Sequence, residues 1–445
     1  MKQKKILLLN LPNYCPDRKF YCLPLGLAYL AAPLDRNNYI LKGLDLAATK
    51  EKNESCYLNS PEEYINEIIK FNPDYVLIGC LVHNRFNVFY WSQLIKQHVN
   101  KVKIILGNHF ASTKPKEILK NIPWVDYIVL GEGEENICKL IKGIENNNLD
   151  DVKNICFRES KNNIVLRKNK AIINLDKLPF PKRDIFNKDE YKFNIGGKLF
   201  YNIASILSSR GCPMQCTFCS CRVFEGNVYR ARNVSNILKE IKILKNQGYN
   251  SFMFVDDTFT INEKQILEFC KRTIKSKLNI KWICWSCLNI NLDILDIMKK
   301  AGCIFISFGL ESANAEILRH FKKNINLNHA KRAIEKCKNI GMDTRFTLLI
   351  NSGYETNESI RETLHFLKQL KIDKNMIDHT SNVWVLPGTD LEKEFLSKRN
   401  DNFDWFKPNN DSFIVQKDNT GNHLVPISKG MDDKKVNKII SEYYH

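Results

Sequence analysis

No apolar run in this 445-residue chain approaches the ~20 residues that a helix needs to cross a bilayer. The lysine-rich start passes straight into the strand-like Ile6-Leu7-Leu8-Leu9, and no signal peptide is recognisable. The expectation is a soluble, cytoplasmic protein with no membrane partner. Without an export signal, fifteen cysteines that mostly stand singly do not read as a disulfide framework. A long basic block is also missing. The largest is Met1-Lys2-Gln3-Lys4-Lys5, and arginines do not alternate with aromatics as they do in a base-stacking platform. The net charge of +18 therefore does not point to nucleic acid. It fits lysines dispersed over solvated faces, or attraction to an anionic substrate or to polyanions in general.

What the chain does have is 44% hydrophobic residues, enough for the cores of two or three domains, and one dense group of cysteines. Cys212, Cys216 and Cys219 lie in the run Ser209-Arg210-Gly211-Cys212-Pro213-Met214-Gln215-Cys216-Thr217-Phe218-Cys219. Three close thiolates can hold a four-iron cluster and leave one iron open, because such clusters normally take four ligands. They can also hold zinc with a fourth ligand such as Cys221, although no second paired-cysteine knuckle is evident. Spacing alone leaves both readings open. Cys284 and Cys287 invite an auxiliary-cluster reading, but residues three apart on a strand face opposite ways, so unligated thiols are expected there.

The first half alternates apolar strands at 5–9, 40–45, 75–79, 102–107 and 127–130 with helical patterns at 25–34, 61–70, 86–99 and 135–145. Ser60 and Glu63 fit a capping box for the second helix. The pattern predicts an α/β domain with a doubly wound, Rossmann-like parallel sheet, which binds ligands beyond the carboxyl ends of its strands. At those ends stand Asn10 and Pro12, Gly79 and Cys80, Gly107-Asn108-His109, and Gly131-Glu132-Gly133-Glu134. The glycines either admit a large flat ligand or only make tight turns. Glu132 and Glu134 are either hydrogen-bond acceptors or acids favoured at a helix N-terminus, and His109 is either a ligand contact or a surface residue.

Segments 154–158 and 164–167 read as a hairpin, and Leu178-Pro179-Phe180-Pro181 as a rigid linker. Then come strands at 203–208, 251–255, 281–286, 304–309 and 344–350, with helices at 234–246, 263–276, 292–301 and 328–340. Such units curl into a full or partial barrel with its site at the carboxyl ends of the strands. The cysteine loop follows the first of these strands. Asp256 and Asp257 end the second and Glu311 with Ser312 the fourth, either as hydrogen-bond acceptors for a ligand or as helix caps. Arg210 and Arg232 flank the loop, and Trp282, Trp285 and Trp384 are either cavity lining or core. The polar tail ends in a helical pattern at 434–443.

With Phe218 just before the third cysteine, Cys212-x-x-x-Cys216-x-x-Cys219 resembles the radical S-adenosylmethionine (SAM) enzymes, whose fourth iron is bound by the amino and carboxylate groups of SAM. The resemblance continues through Phe252-Met253-Phe254-Val255-Asp256-Asp257-Thr258-Phe259-Thr260, Ala301-Gly302-Cys303 and Gly309-Leu310-Glu311-Ser312-Ala313-Asn314, and fades near Pro387-Gly388-Thr389. Upstream, Leu23-Pro24-Leu25-Gly26-Leu27-Ala28-Tyr29-Leu30-Ala31, Gly107-Asn108-His109 and Gly131-Glu132-Gly133-Glu134 resemble the cobalamin-binding domain of the cobalamin-dependent, class B methyltransferase-like subfamily.

The resemblance implies a Rossmann-like cobalamin-binding domain at 1–150, a hairpin and linker at 151–195, a partial (β/α)6 radical SAM barrel at 196–390 and a substrate-access region at 391–445. It implies a [4Fe-4S] cluster on Cys212, Cys216 and Cys219, with SAM contacts from Phe218, Asp256, Glu311 and Ser312. Cobalamin contacts would come from Asn10, Pro12, Gly79, Gly107, Asn108, His109, Gly131, Glu132 and Gly133. No Asp-x-His-x-x-Gly motif is present, so a bound corrin would be base-off with no histidine below the cobalt. Near residue 350 the family's Pro-Gly-Glu-Thr is replaced by Asn351-Ser352-Gly353-Tyr354-Glu355-Thr356, where Gly353, Glu355 and Thr356 fit and the proline is missing.

The implied activity is C-methylation of a peptide or small natural-product precursor. A deoxyadenosyl radical takes hydrogen from an unactivated carbon, and methylcobalamin then delivers the methyl group. The implied partners are a flavodoxin or ferredoxin as electron donor, with the chain itself a monomer. One alternative keeps both cofactors but performs a rearrangement, ring closure or redox step. Another, a methylthiotransferase, needs three further cluster cysteines, and Cys15, Cys22, Cys56, Cys80 and Cys138 show no suitable grouping. A non-catalytic sensor or cluster carrier predicts no SAM cleavage.

Overall fold

Alternating strands and helices become two mostly parallel sheets. The computed structural model describes residues 3–12, 22–37, 39–48, 61–168, 171–195, 198–350, 354–372, 376–383, 385–397 and 404–406. Ser60, Asn351 to Gly353, Trp384 and the helical pattern at 434–443 lie outside these residues. The chain divides into two compact units, one holding the described residues up to Phe193 together with 404–406, the other those from Asn194 to 397.

In the first unit, β1 (Lys5–Asn10), β2 (Ile40–Asp45), β3 (Tyr75–Gly79), β4 (Lys103–Gly107), β5 (Tyr127–Val129), β6 (Ile155–Ser160) and β7 (Asn163–Arg167) form one sheet of order β2-β1-β3-β4-β5-β6-β7. The pairs from β2 to β5 are parallel, while β6 and β7 form the expected hairpin and extend the sheet antiparallel to β5. Alternation along β1 shows why the sheet is doubly wound. Leu7 and Leu9 pack with Val76, Val88 and Leu106 on one face, whereas Ile6 and Leu8 pack with Leu27, Ala31 and Ile141 on the other. After β2 the chain crosses to the other side of β1, so the strand order reverses between β1 and β3, where sheets of this kind open a crevice for ligands.

A short segment from far along the sequence completes this core. Trp405 packs among Val88, Leu106 and Phe110, Arg85 donates from Nε to its carbonyl at 3.0 Å, and Phe406 stacks on Phe89 at 5.7 Å. Truncating a buried tryptophan costs about 3 kcal/mol or more through lost contacts and a cavity. Trp405→Ala should lower the first unit's unfolding midpoint in denaturant, with the second unit's transition unchanged.

The second unit begins within a two-stranded ribbon of β8 (Lys192–Ile195) and β9 (Lys198–Tyr201). Its main sheet runs β10 (Ile203–Ile206), β13 (Ser251–Phe254), β14 (Lys281–Cys287), β15 (Cys303–Glu311), β16 (Asp343–Ile350) and β17 (Ile377–Asn382) in that order, all parallel. A further small ribbon pairs β11 (Ser209–Arg210) with β12 (Arg230–Ala231). The five crossovers contain helices Val234–Asn246, Glu263–Lys275, Leu292–Lys300, Leu327–Asn339 and Asn357–Gln369, whose apolar faces meet the sheet in one core. This is the six-stranded partial (β/α)6 barrel. Trp282 belongs to its core, among Phe254, Phe259 and Phe269, with Nε1–H donating to the Ala301 carbonyl at 3.0 Å.

Candidate functional site

The cysteine loop leaves β11 at the carboxyl end of the barrel's first strand and ends at helix Cys221–Glu225. Its entry depends on Gly211, at φ +84°, where an added Cβ would lie 2.3 Å from the Val228 carbonyl oxygen. The Gly211 N–H donates to Asp257 Oδ2 at 3.1 Å. The middle is tied to a different part of the unit. Thr217 N–H donates to the Phe321 carbonyl and Leu391 N–H donates to the Thr217 carbonyl, both at 3.1 Å. Phe218 meets Phe321 edge-on at 5.1 Å, in an apolar group with Ile317, Val383 and Leu391. The loop is therefore held at its start and in its middle by the protein's own backbone and side chains.

Cys212, Cys216 and Cys219 are half-buried. Burial pushes the Cys219 thiol up to about 11 and raises Cys216, the latter opposed by the Lys323 ammonium. Such thiols need a metal to become thiolates. A four-iron cluster takes one thiolate on each of its irons, so three cysteines would leave one iron open.

Asp256 and Asp257 divide the work at the end of β13. Asp256 is 4% exposed, and accepts hydrogen bonds from Ser208 N–H at 3.2 Å, Ser208 Oγ at 2.7 Å and Ser209 Oγ. Both its oxygens thus hold the chain that enters the loop. Burial pushes its carboxyl up to about 6. Because the folded chain holds this proton more tightly than the unfolded one, the group's contribution is best below pH ~4 and falls by roughly 3 kcal/mol as pH rises to ~6. Asp256→Asn should remove that decline from the pH dependence of unfolding, while Asp256→Ala, which strands three donors, should lower stability at every pH.

Glu311 lies past a register shift between β15 and β16, in the left-handed region at φ +63°. Its Oε1 pairs with Lys323 and its Oε2 accepts from Thr347 Oγ1 at 3.1 Å. Ser312 instead serves the turn, its Oγ accepting from Asn314 N–H at 3.1 Å and lying 3.2 Å from Thr363 Oγ1. Arg232 pairs with the buried Glu240 at 2.6 Å and donates to the Leu207 carbonyl at 2.7 Å, fixing the strand end before the loop. Cys284 and Cys287 part company. Cys284 is buried beside Cys303 in the helix-side core, whereas Cys287 is half-buried at the end of β14, near Lys323 and Thr260.

In the first unit, Asn10, Gly79, Gly107 and Gly131 line up along the carboxyl edge of β1, β3, β4 and β5. Gly79 and Gly107 stand side by side in register. A Cβ at Gly79 would come no nearer than 3.5 Å to Asn108 Nδ2, and one at Gly107 no nearer than 3.7 Å to the Val129 carbonyl. The protein's own packing does not demand these glycines, so the bare edge suits a broad flat ligand such as a corrin. Gly133 differs, since its Cβ would lie 3.0 Å from Leu30 and Val129.

Polar groups frame the edge. Asn10 Nδ2 donates to Asp45 at 2.8 Å, Asn87 Nδ2 donates to the Pro12 carbonyl at 3.0 Å and Asn84 Nδ2 donates to the Gly79 carbonyl at 3.0 Å. Asn108 adopts φ +76° and accepts from its neighbour's N–H, leaving His109 half-buried at the start of helix Asn108–Thr113. Gly131 N–H donates to Ser112 Oγ at 3.0 Å, and Glu132 accepts from Ile172 N–H at 2.7 Å.

Lys323 and the anchoring role of Gly211 escaped sequence reasoning. Lys323 is one of 67 lysines and arginines, and nothing local sets it apart.

Comparison with known proteins agrees with this division. The sequence model of the B12 binding domain matches residues 16–141, and that of the Radical SAM superfamily matches residues 206–367. An uncharacterized methyltransferase of Pyrococcus horikoshii is 29% identical over 381 residues, spanning 84% of this chain and 80% of the relative. An anaerobic magnesium-protoporphyrin IX monomethyl ester cyclase of Rubrivivax gelatinosus is 27% identical over 411 residues, spanning 89% and 70%. The solved structure of OxsB, a cobalamin-dependent S-adenosylmethionine radical enzyme with aqua-cobalamin and S-adenosylmethionine bound, shares the fold at TM-score 0.74. It is 16% identical, over 99% of this chain and 66% of that one.

Proposed function

We propose that this chain, which belongs to the cobalamin-dependent radical SAM methyltransferase family, methylates an unactivated carbon of a small molecule or peptide. The observation that carries the reading is the preformed thiol triplet at the carboxyl end of the first barrel strand, in one chain with a glycine-edged, doubly wound sheet. When bound, the cluster and SAM supply a deoxyadenosyl radical, and cobalamin supplies a methyl carrier.

The chain's own residues hold and orient these groups. Cys212, Cys216 and Cys219 would hold the cluster, with the fourth iron left for SAM, and Phe218, packed on Phe321, braces the loop between the last two cysteines. Glu311 offers a carboxylate to SAM with Ser312 shaping the turn beside it, and Asp256 acts behind the loop through Ser208 and Ser209. In the first unit, Gly79, Gly107 and Gly131 would leave room for a bound corrin. Asn10, Pro12, Asn108, His109, Glu132 and Gly133 would border it, and the sequence has no Asp-x-His-x-x-Gly motif. Among the described residues no helix is long and apolar enough to cross a membrane. We place the protein in the cytoplasm as a monomer served by a flavodoxin or ferredoxin as electron donor.

The kinship with a cyclase keeps ring closure as the second reading. Anaerobic reconstitution with iron, sulfide and hydroxocobalamin, followed by SAM and a reductant, separates the two. Methyl transfer predicts S-adenosylhomocysteine, at least one per bound corrin, together with deoxyadenosine. Deoxyadenosine alone would favour ring closure, rearrangement or a redox step.

A further inference from the structure

Lys323 has no part in the roles above, yet it lies in an unusual place. Its ammonium pairs with Glu311, and the two side chains are only 15% and 8% exposed. A Cβ at Gly309 would lie 2.6 Å from both Lys323 Nζ and Glu311 Oε1, so the pair rests on bare backbone at the end of β15. Glu311 keeps its left-handed backbone there, with Thr347 satisfying its second oxygen. Non-glycine residues persist in that conformation where the surroundings over-determine it, often at functional sites. The hydrogen bond from Thr217 N–H to the Phe321 carbonyl brings Cys216 next to the turn that carries Lys323. Lys323 and Glu311 both lie within electrostatic reach of Cys216, and Lys323 also lies within reach of Cys287.

We propose that Lys323 and Glu311 form a potential-setting pair for the cluster held by Cys212, Cys216 and Cys219. The ammonium eases one-electron reduction, the carboxylate opposes it, and each positions the other. Reduction adds one electron to the cluster from a low-potential donor and neither makes nor breaks a bond. A cluster's potential responds to net charge and hydrogen bonding around its sulfurs, and a partly buried charge is weakly screened.

The inference rests on the triplet holding a cluster, so the test begins with iron and sulfide content and the cluster's visible absorption. Absence of a cluster in the unaltered chain would sink the site reading itself. With the cluster present, mediator titration followed by EPR, without SAM, reads the midpoint potential. Lys323→Gln should shift it to lower potential by uncovering Glu311, and Glu311→Gln should shift it to higher potential by uncovering Lys323. The double variant should return close to the starting value. A structural role alone would shift both single variants the same way or not at all, and either result overturns the pair. Should Lys323→Gln fail to assemble a cluster, Lys323→Arg must keep the potential unchanged while Glu311→Gln raises it. Any other outcome from those two overturns it equally.

Discussion

Gly211→Ala should abolish cluster assembly. The residue stands immediately before Cys212 at φ +84°, with the Val228 carbonyl 2.3 Å from where a Cβ would be. A contact of that kind with backbone has no flexible side chain to yield, and the left-handed conformation adds its own cost for any residue bearing a Cβ. Relief requires the segment around Val228 or the start of the loop to move, which breaks the hydrogen bond from Gly211 N–H to Asp257 and displaces Cys212 from beside Thr258, 3.7 Å away. Iron and sulfide after anaerobic reconstitution should fall to background. Corrin binding, which belongs to the first unit, should be unaffected. A near-normal iron content in this variant would show that the loop is set by the metal rather than by its own backbone.

The second large effect is expected at Arg232, whose side chain is 4% exposed against a Glu240 that is 1% exposed. Arg232→Met leaves that carboxylate buried without its partner, a change that costs ~3–5 kcal/mol. It also removes the donors to the Leu207 carbonyl and Asn236 Oδ1, so the strand end that launches the cysteine loop loosens as well. Denaturant unfolding should show the second unit's transition moved to lower midpoint and the first unit's unchanged. Replacing both partners, Arg232→Met with Glu240→Leu, should recover most of the loss, because an apolar pair carries no stranded charge. A loss below ~1 kcal/mol for the single variant would mean that water reaches the pair.

These two positions show what could and could not be read from the chain. The strands legible as apolar runs recur within a few residues, because a sheet covered on both faces leaves a near-continuous apolar signal in each strand. The alternation of Ile6 and Leu8 against Leu7 and Leu9 adds which face each residue serves. The cysteine triplet was legible because ligand spacing is local. Glu311 was legible as a strand-end acid, but its left-handed backbone and its pairing with Lys323 twelve residues on were not. Arg232 read as a loop-flanking charge and proved to be half of a buried pair. Trp405 gave no hint that it packs against Arg85 and Phe110, more than 290 residues earlier in the chain. Each of these depends on contacts between distant segments, which period and spacing do not encode.

The account stands most directly on one measurement, deoxyadenosine formed by the anaerobically reconstituted chain from SAM and a reductant. The prediction is that the unaltered protein releases it, and that a variant with Cys212, Cys216 and Cys219 all changed to alanine releases none while keeping its corrin. Equal deoxyadenosine from both proteins, or none from a chain shown to carry its cluster, would contradict the account.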